Sequence, residues 1–395
     1  MTKGKIKITT LTPIFIGSQK SLSSSEYFID KNSNKLNQID QDKLFNYLSS
    51  SPDRKQILEE FIEKLKNPNK FDIESFFKEK KININDFVLE GYEIANIPDL
   101  LTKQKMPIKG VIKLFTKGKE YYYVPGSSIK GAIRMALEYS YYKNNKDQVI
   151  KDIRSLEPDK KDSVGKLHNK LERDFTKYYE QKIRDLFKSE NNQGENLNEK
   201  ILIPEAFSLL KISDSNPIPK SKFAIFKLER KHVNGGNKVG IPVYHEGLIK
   251  NTNLEFDFEI DNRIFDIKEI ENAIDTIQND IISDDLETPV LKELINNSEI
   301  LSKYKTYRMI NLGFGGSMKT KSLYLILKDI YKENNKDEVI KYNLRKLSEK
   351  LEKKVNNIFE SYYPTTRFIV NNQIPGWCLI KLEIQNENIG NLSAW

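Results

Sequence analysis

The run Tyr121-Tyr122-Tyr123-Val124-Pro125-Gly126-Ser127-Ser128-Ile129-Lys130-Gly131-Ala132-Ile133-Arg134 constrains the fold of this chain more than any other. Tyrosines and valine favour a strand, Pro-Gly turns it, and the serines suit a helix start, where side-chain oxygens cap unpaired N–H groups. Ile129, Ile133, Ala136, Leu137 and Ser140 recur at helical spacing and predict one buried face. Lys130 and Arg134 stand four residues apart, on another face near the helix start. A helix N-terminus carries unpaired N–H groups and a partial positive charge, so two cations beside it suit a phosphate. A capped amphipathic helix with solvated charges has the same pattern, and the rest of the chain must separate the two.

Lys5–Ile16 alternates polar and apolar residues and predicts a strand ending at Gly17-Ser18; Tyr27–Asp30 predicts a second. Asp40 to Lys81 turns helical, split into short helices by Pro52 and Pro68. Asp147 to Lys200 is polar with helical spacing at Leu167, Leu171, Phe175, Tyr179 and Ile183, and Asn191-Asn192-Gln193-Gly194 marks a loop. Strand runs follow at Ser208–Ile212, Phe223–Arg230, Ile241–Tyr244 and Asn253–Ile260, the last alternating strictly. Asn234-Gly235-Gly236 between two of them is a hairpin signal. Residues 266–305 and 337–360 read as mainly helical, and Cys378–Ile384 as a final strand. Helices interleaved with antiparallel hairpins give the class α+β.

A glycine-rich loop, Asn311-Leu312-Gly313-Phe314-Gly315-Gly316-Ser317-Met318-Lys319-Thr320-Lys321, offers flexible backbone N–H groups followed by two cations. It falls one glycine short of a P-loop, because Met318 stands where close approach to phosphate requires Gly, and no apolar strand precedes it. At the predicted hairpin tip Arg230, Lys231, His232 and Lys238 cluster, a grouping suited to a single strand of nucleic acid. Tyr122, Tyr123 and Phe314 are candidates for stacking on bases, Phe314 foremost because it lies between loop glycines. Three histidines and one cysteine form no ligand-spaced cluster, so no metal site is expected; His168 reads as a solvent-facing helix residue. His232 and His245 are the candidate bases for metal-independent attack by a ribose 2′-hydroxyl.

Lys and Arg total 64 against 56 Asp and Glu, a net +8 that is compatible with a basic groove but does not establish one. Cys378 lies in an apolar strand pattern as a small core residue, and a lone cysteine allows no internal disulfide. With no signal-like start and no run of about 18 apolar residues, a cytoplasmic, soluble protein without membrane contact is expected.

The segment YVPGSSIKGAIR closely resembles the signature of the RAMP superfamily, RNA-binding proteins of CRISPR effector complexes. Leu11–Ser18 resembles that family's first strand and turn, Leu210–Ser215 a central strand, and Asn311–Lys321 its glycine-rich loop. Their order, with Pro375-Gly376-Trp377 before the last strand, is similar to the branch that caps the 3′ end of the guide RNA in type III-A (Csm) complexes. The resemblance implies ferredoxin-like, RRM-type units with large helical insertions. It implies an N-terminal domain over 1–265, with insertions near 31–118 and 145–205 and a hairpin thumb near 223–250, and a C-terminal domain over 266–395. It implies a non-catalytic subunit that needs no cofactor. Its partners would be the guide RNA, other complex subunits, above all the backbone subunit, and host nucleases acting in guide maturation. RNA contacts would fall on Gly17, Ser18, Ser127, Ser128, Lys130, Arg134, Arg230, Lys231, His232, Lys238, Gly313, Phe314, Gly315, Gly316, Lys319 and Lys321. Two other readings stay open, a guide-processing endoribonuclease and a cap for the guide's 5′ tag. In related backbone subunits an aspartate after the first strand cuts RNA with a metal, which makes Asp30 a further candidate, although the glycines that surround that aspartate are absent here.

Overall fold

Alternation decides where the first strand goes. In β1 (Thr2–Thr10) Ile6 and Ile8 point into the core while Lys3 and Lys7 face solvent. A computed structural model describes residues 1–30, 33–67, 71–95, 111–160, 162–190, 205–235, 238–296, 298–351, 357–360 and 363–385. After β1 come β2 (Gly17–Leu22), β3 (Tyr27–Asp30), β4 (Lys35–Ile39), α1 (Gln41–Ser49), α2 (Pro52–Leu65), α3 (Ile73–Glu79), β5 (Val88–Glu93) and β6 (Ile112–Phe115). The signature helix is α4 (Gly126–Asn144), followed by α5 (Lys146–Arg154) and α6 (Ser163–Glu190). Next are β7 (Leu210–Ile212), β8 (Phe223–His232), β9 (Lys238–Leu248), β10 (Asn253–Ile260) and α7 (Ile267–Leu286). The chain continues through α8 (Pro289–Asn296), α9 (Glu299–Tyr304), β11 (Met309–Asn311), α10 (Tyr324–Glu333), α11 (Glu338–Leu351), β12 (Thr366–Ile369) and β13 (Trp377–Ile384).

Strand β1 pairs antiparallel with both β10 and β13, in a five-stranded sheet ordered β11-β13-β1-β10-β7. With α4 between β1 and β7, and α7 between β10 and β13, the four strands β13-β1-β10-β7 complete a ferredoxin-like βαββαβ unit. The two helices pack together, joined where the Tyr139 hydroxyl donates to Asp280 at 2.7 Å. Because β13 completes the sheet begun by β1, and one apolar core includes Ile6, Phe256, Ile274, Leu344 and Trp377, the expected boundary at 265/266 does not divide the core.

The second sheet, β12-β8-β9-β6-β2, carries the β8–β9 hairpin, which extends from the connection between β7 and β10. The third, β3-β4-β5, packs with α1–α3 over a satellite core containing Leu44, Phe61 and Phe77. Asp40 and Asp72 cap α1 and α3 by accepting the backbone N–H groups of Lys43 and Ser75, and Pro52 opens α2 at its first turn.

Two strand expectations are corrected. β1 ends at Thr10, because Leu11 and Thr12 donate to the Trp377 carbonyl, and Ile14 then bridges to Leu248. The chain crosses there from the first sheet to the second. Tyr121–Val124 forms only two isolated bridges, from Tyr122 to Lys117 and to Ile218, and the strand lies earlier, in β6.

The two sheets are locked by a buried ion cluster. Asp285 of α7 accepts the Lys319 ammonium at 2.6 Å and the Arg367 guanidinium of β12 at 2.9 Å, all three nearly inaccessible. Asp284 pairs with Lys319 and Lys328, which hold its carboxyl below the usual range against the opposing pull of burial. Removing one partner of such a cluster strands a buried charge. Asp285→Ala should therefore cost about 3–5 kcal/mol. Arg134→Ala, which breaks a half-exposed pair with Glu172, should cost about 1 kcal/mol or less. Urea unfolding midpoints compare them, and equal losses would remove the cluster's structural role.

Candidate nucleic-acid interface

Strand periodicity and register assemble an aromatic surface on the second sheet. Cross-strand pairing sets Phe226 opposite His245, His245 opposite Lys113, and Phe368 opposite Arg230. The Phe314 ring, delivered by the glycine-rich loop, stacks on His245 with centroids 4.7 Å apart and planes at 11°, and meets Phe368 at 4.9 Å. Phe15 closes the inner side, edge-on to Phe226 and His245. Two exposed cations stand over this surface. The Lys113 ammonium lies 5.7 Å from the Phe314 centroid, and the Arg230 guanidinium 4.7 Å from that of Phe368. Cations beside half-exposed rings suit phosphates and stacked bases together.

The hairpin continues the surface. His232 is exposed opposite Thr366, and Lys231 approaches the Asn372 side chain at 3.4 Å. Lys238 faces Lys231 across the ladder, while Gly236 and Asn237 lie outside the described residues, as does the loop expected at Asn191–Gly194. Ile241 is 85% exposed beside Gly240, whose φ is +76°, at a break in the β8–β9 register. Lys113, Phe368 and Ile241 were missed in the sequence, although the alternation in Ile112-Lys113-Leu114-Phe115 and Thr366-Arg367-Phe368-Ile369 carries a usable signal.

The helix start differs from its expectation. Pro125, not a serine, takes the cap position; Ser127 is exposed, Ser128 half-buried, and neither side chain caps. The Gly126 N–H donates to the Asp214 carboxylate at 3.0 Å, so this end of the helix already holds an anionic group. A Cβ on Gly126 would overlap the carbonyls of Ile212 and Ser213, so glycine is required for helix-to-strand contact. Arg134 is claimed by Glu172 at 2.9 Å and lies over Phe207, while half-buried Lys130 makes no ion pair among the described residues. The two cations therefore do not form one phosphate seat.

The glycine-rich loop is also corrected. Gly313 has φ +77°, and a Cβ there would strike the Phe15 carbonyl, to which Phe314 N–H donates at 2.7 Å. Side chains at Gly315 and Gly316 would collide with Pro375 and with Asn311 and Thr320. These glycines admit neighbouring protein, and a bulky substitution would disturb packing before any ligand contact. Lys319 is buried in the ion cluster and turns away from solvent; Lys321 is exposed and lines a cavity on another side of the loop. Gly17 is exposed with open space around it, and Ser18 donates to the Leu114 carbonyl at 3.3 Å.

The candidate catalytic groups do not converge. His245 is buried between Phe314 and Phe15, and burial with nearby Lys113 lowers its pKa to about 4. Asp30 accepts the Ser33 hydroxyl at 2.6 Å at the end of β3, in the satellite sheet rather than beside either histidine. Among the described residues, no group of three or more His, Cys, Asp or Glu side chains could hold a metal ion. Cys378 is wholly buried, and burial raises its thiol pKa. No helix among the described residues is long and apolar enough to cross a membrane.

Comparison with known proteins bears directly on this geometry. The chain is 26% identical over 349 residues to "CRISPR system Cms protein Csm5" of Methanocaldococcus jannaschii, covering 82% of this chain and 73% of that protein. Its fold is similar to a chain in a cryo-EM structure of a type III-A Csm–crRNA–target RNA ternary complex, with TM-score 0.60, 18% identity, and 96% and 100% of the two chains covered. It is also similar to the crystal structure of T. onnurineus Csm5, with TM-score 0.57, 17% identity, and 94% and 99% covered. A sequence profile of the RAMP superfamily matches residues 7–353, and with a ferredoxin-like core carrying these insertions the chain belongs to that superfamily.

Proposed function

We propose that this chain is a non-catalytic RNA-binding subunit of a type III-A CRISPR (Csm) complex, where it holds the 3′ part of the guide RNA and ends the stack of backbone subunits. The observation that carries the reading is the pair of exposed cations, Lys113 and Arg230, set over aromatic rings next to the hairpin. Similarity to proteins named as Csm5 and to a chain of a Csm–crRNA complex supplies the complex and its RNA. A guide varies in sequence, so a fixed surface binds its phosphates, sugars and ring faces rather than reading base edges. The hairpin's exposed Ile241 offers an apolar edge beside that path. Host nucleases that trim the guide are the further partners of this reading, in a soluble complex of the cytoplasm.

Lys113→Ala with Arg230→Ala removes two phosphate contacts. For single-stranded RNA each contributes about 0.7 to the slope of log affinity against log salt, so the slope should fall by about 1.4. Filter binding across a salt series measures it; an unchanged slope would place the RNA elsewhere. In assembled complexes the same variant should alter the 3′ ends of bound guides and spare the 5′ tag. The opposite pattern assigns the chain to the other end.

Alanine at Asp30 or His232 should leave RNA cutting by the complex intact, and loss at either site with assembly preserved would reveal an active centre. His245 has a different signature. Its folded pKa of about 4 lies below the ordinary 6.5, so its stabilising contribution is complete above pH 6.5 and is lost as pH falls towards 4. Between pH 7 and pH 4.5 this amounts to about 2 kcal/mol, and His245→Phe should remove that part of the pH dependence in urea unfolding. A wild-type curve with the same slope as the variant would contradict the buried neutral imidazole.

A further inference from the structure

A cavity of about 280 Å³ lies between α4, α6, α10 and α11, beside the tail of the glycine-rich loop. Its walls are largely aliphatic, with Leu167, Leu327 and Phe359 among them. Five polar side chains also line it. Two are satisfied internally: the Ser322 hydroxyl donates to the Met318 carbonyl at 2.7 Å, and the Tyr324 hydroxyl to the Ile358 carbonyl at 2.9 Å. The other three are half-buried Glu138 and the exposed His168 and Lys321. An acid, which feels the charges of Arg134 and His168, thus meets an exposed imidazole and an exposed ammonium at the mouth of an apolar slot. Volume and lining match the lower end of small-molecule sites, about 300 Å³ with a few convergent polar groups.

We propose that this cavity binds a single nucleotide, with the base in the aliphatic slot and the phosphate at Lys321. An acyl chain would fill the slot but would offer nothing to Glu138 and His168 at its polar margin. A base edge with its ribose hydroxyls supplies both donors and acceptors for them. The space admits one base with its sugar and excludes a second. Burial raises the Glu138 carboxyl above its ordinary range, against the opposing pull of Arg134 and His168. Met318 and Lys321 follow directly on the loop that presents Phe314 to the RNA interface, and in this respect the choice of ligand rests on the RNA-binding reading. The nucleotide is either the last residue of a bound RNA or a free nucleoside phosphate.

Full-length protein titrated with adenosine 5′-monophosphate in a calorimeter should show saturable binding, weakened at least tenfold by Lys321→Ala and by Leu167→Trp, which fills the slot. A paired measurement uses one RNA oligonucleotide with an intact or an abasic 3′-terminal residue. If the RNA end is the ligand, wild type prefers the intact end about tenfold and Leu167→Trp erases the preference. If only the mononucleotide responds to the substitutions, the free nucleotide is the ligand. No mononucleotide binding together with equal affinity for both oligonucleotides overturns the proposal, while salt-dependent RNA binding through Lys113 and Arg230 would still stand. Should Leu167→Trp fail to fold, Lys321→Ala decides alone.

Discussion

Asp285 is the point on which the two halves of this molecule depend. A carboxylate with almost no access to water is stable only when its charge is answered, and here Lys319 and Arg367 answer it from two different directions. Lys319 comes from the turn that ends the glycine-rich loop, Arg367 from the edge strand beside the hairpin, and Asp285 from the last turn of α7. One buried side chain therefore fixes the loop, the second sheet and the ferredoxin-like core relative to one another. The aromatic surface inherits its geometry from this cluster, because Phe314 and Phe368 are carried by the two segments that it holds.

A second constraint acts from the other side of the loop. The crossing from β1 to β2 runs directly under Gly313, where only a glycine fits against the Phe15 carbonyl. Phe15 then supports His245, and His245 supports Phe314. The aromatic stack is thus built outward from the crossing, and its imidazole acts as a flat, uncharged ring. This explains how a histidine can lie at the centre of the aromatic surface without being available for proton transfer.

What the sequence disclosed was local, and what it concealed was long-range. The apolar face of α4 at Ile129, Ile133, Ala136 and Leu137, the bounds of β3, and the alternation of β10 follow from period and capping alone. The family resemblance supplied the ferredoxin-like order, which period alone does not give. Charges were misread wherever their partners are remote. Lys319 looked like a phosphate ligand because Asp285 lies 34 residues away, Arg134 looked free because Glu172 lies 38 residues away, and the helix start looked open because Asp214 lies 88 residues from Gly126. The glycines of the loop looked like a seat for a ligand, but the groups that approach them are protein.

These substitutions of partner change what kind of binder the fold can be. A loop whose lysine and glycines are committed to packing cannot wrap a phosphate as a nucleotide hydrolase does, and no described metal cluster adds charge beside it. What remains on the second sheet is a set of half-exposed rings, two exposed cations and a hairpin. Rings and cations of this kind suit phosphates and base faces rather than base edges. The acid–base candidates His232, His245 and Asp30 are kept apart from one another, on the hairpin, in the buried stack and in the satellite sheet.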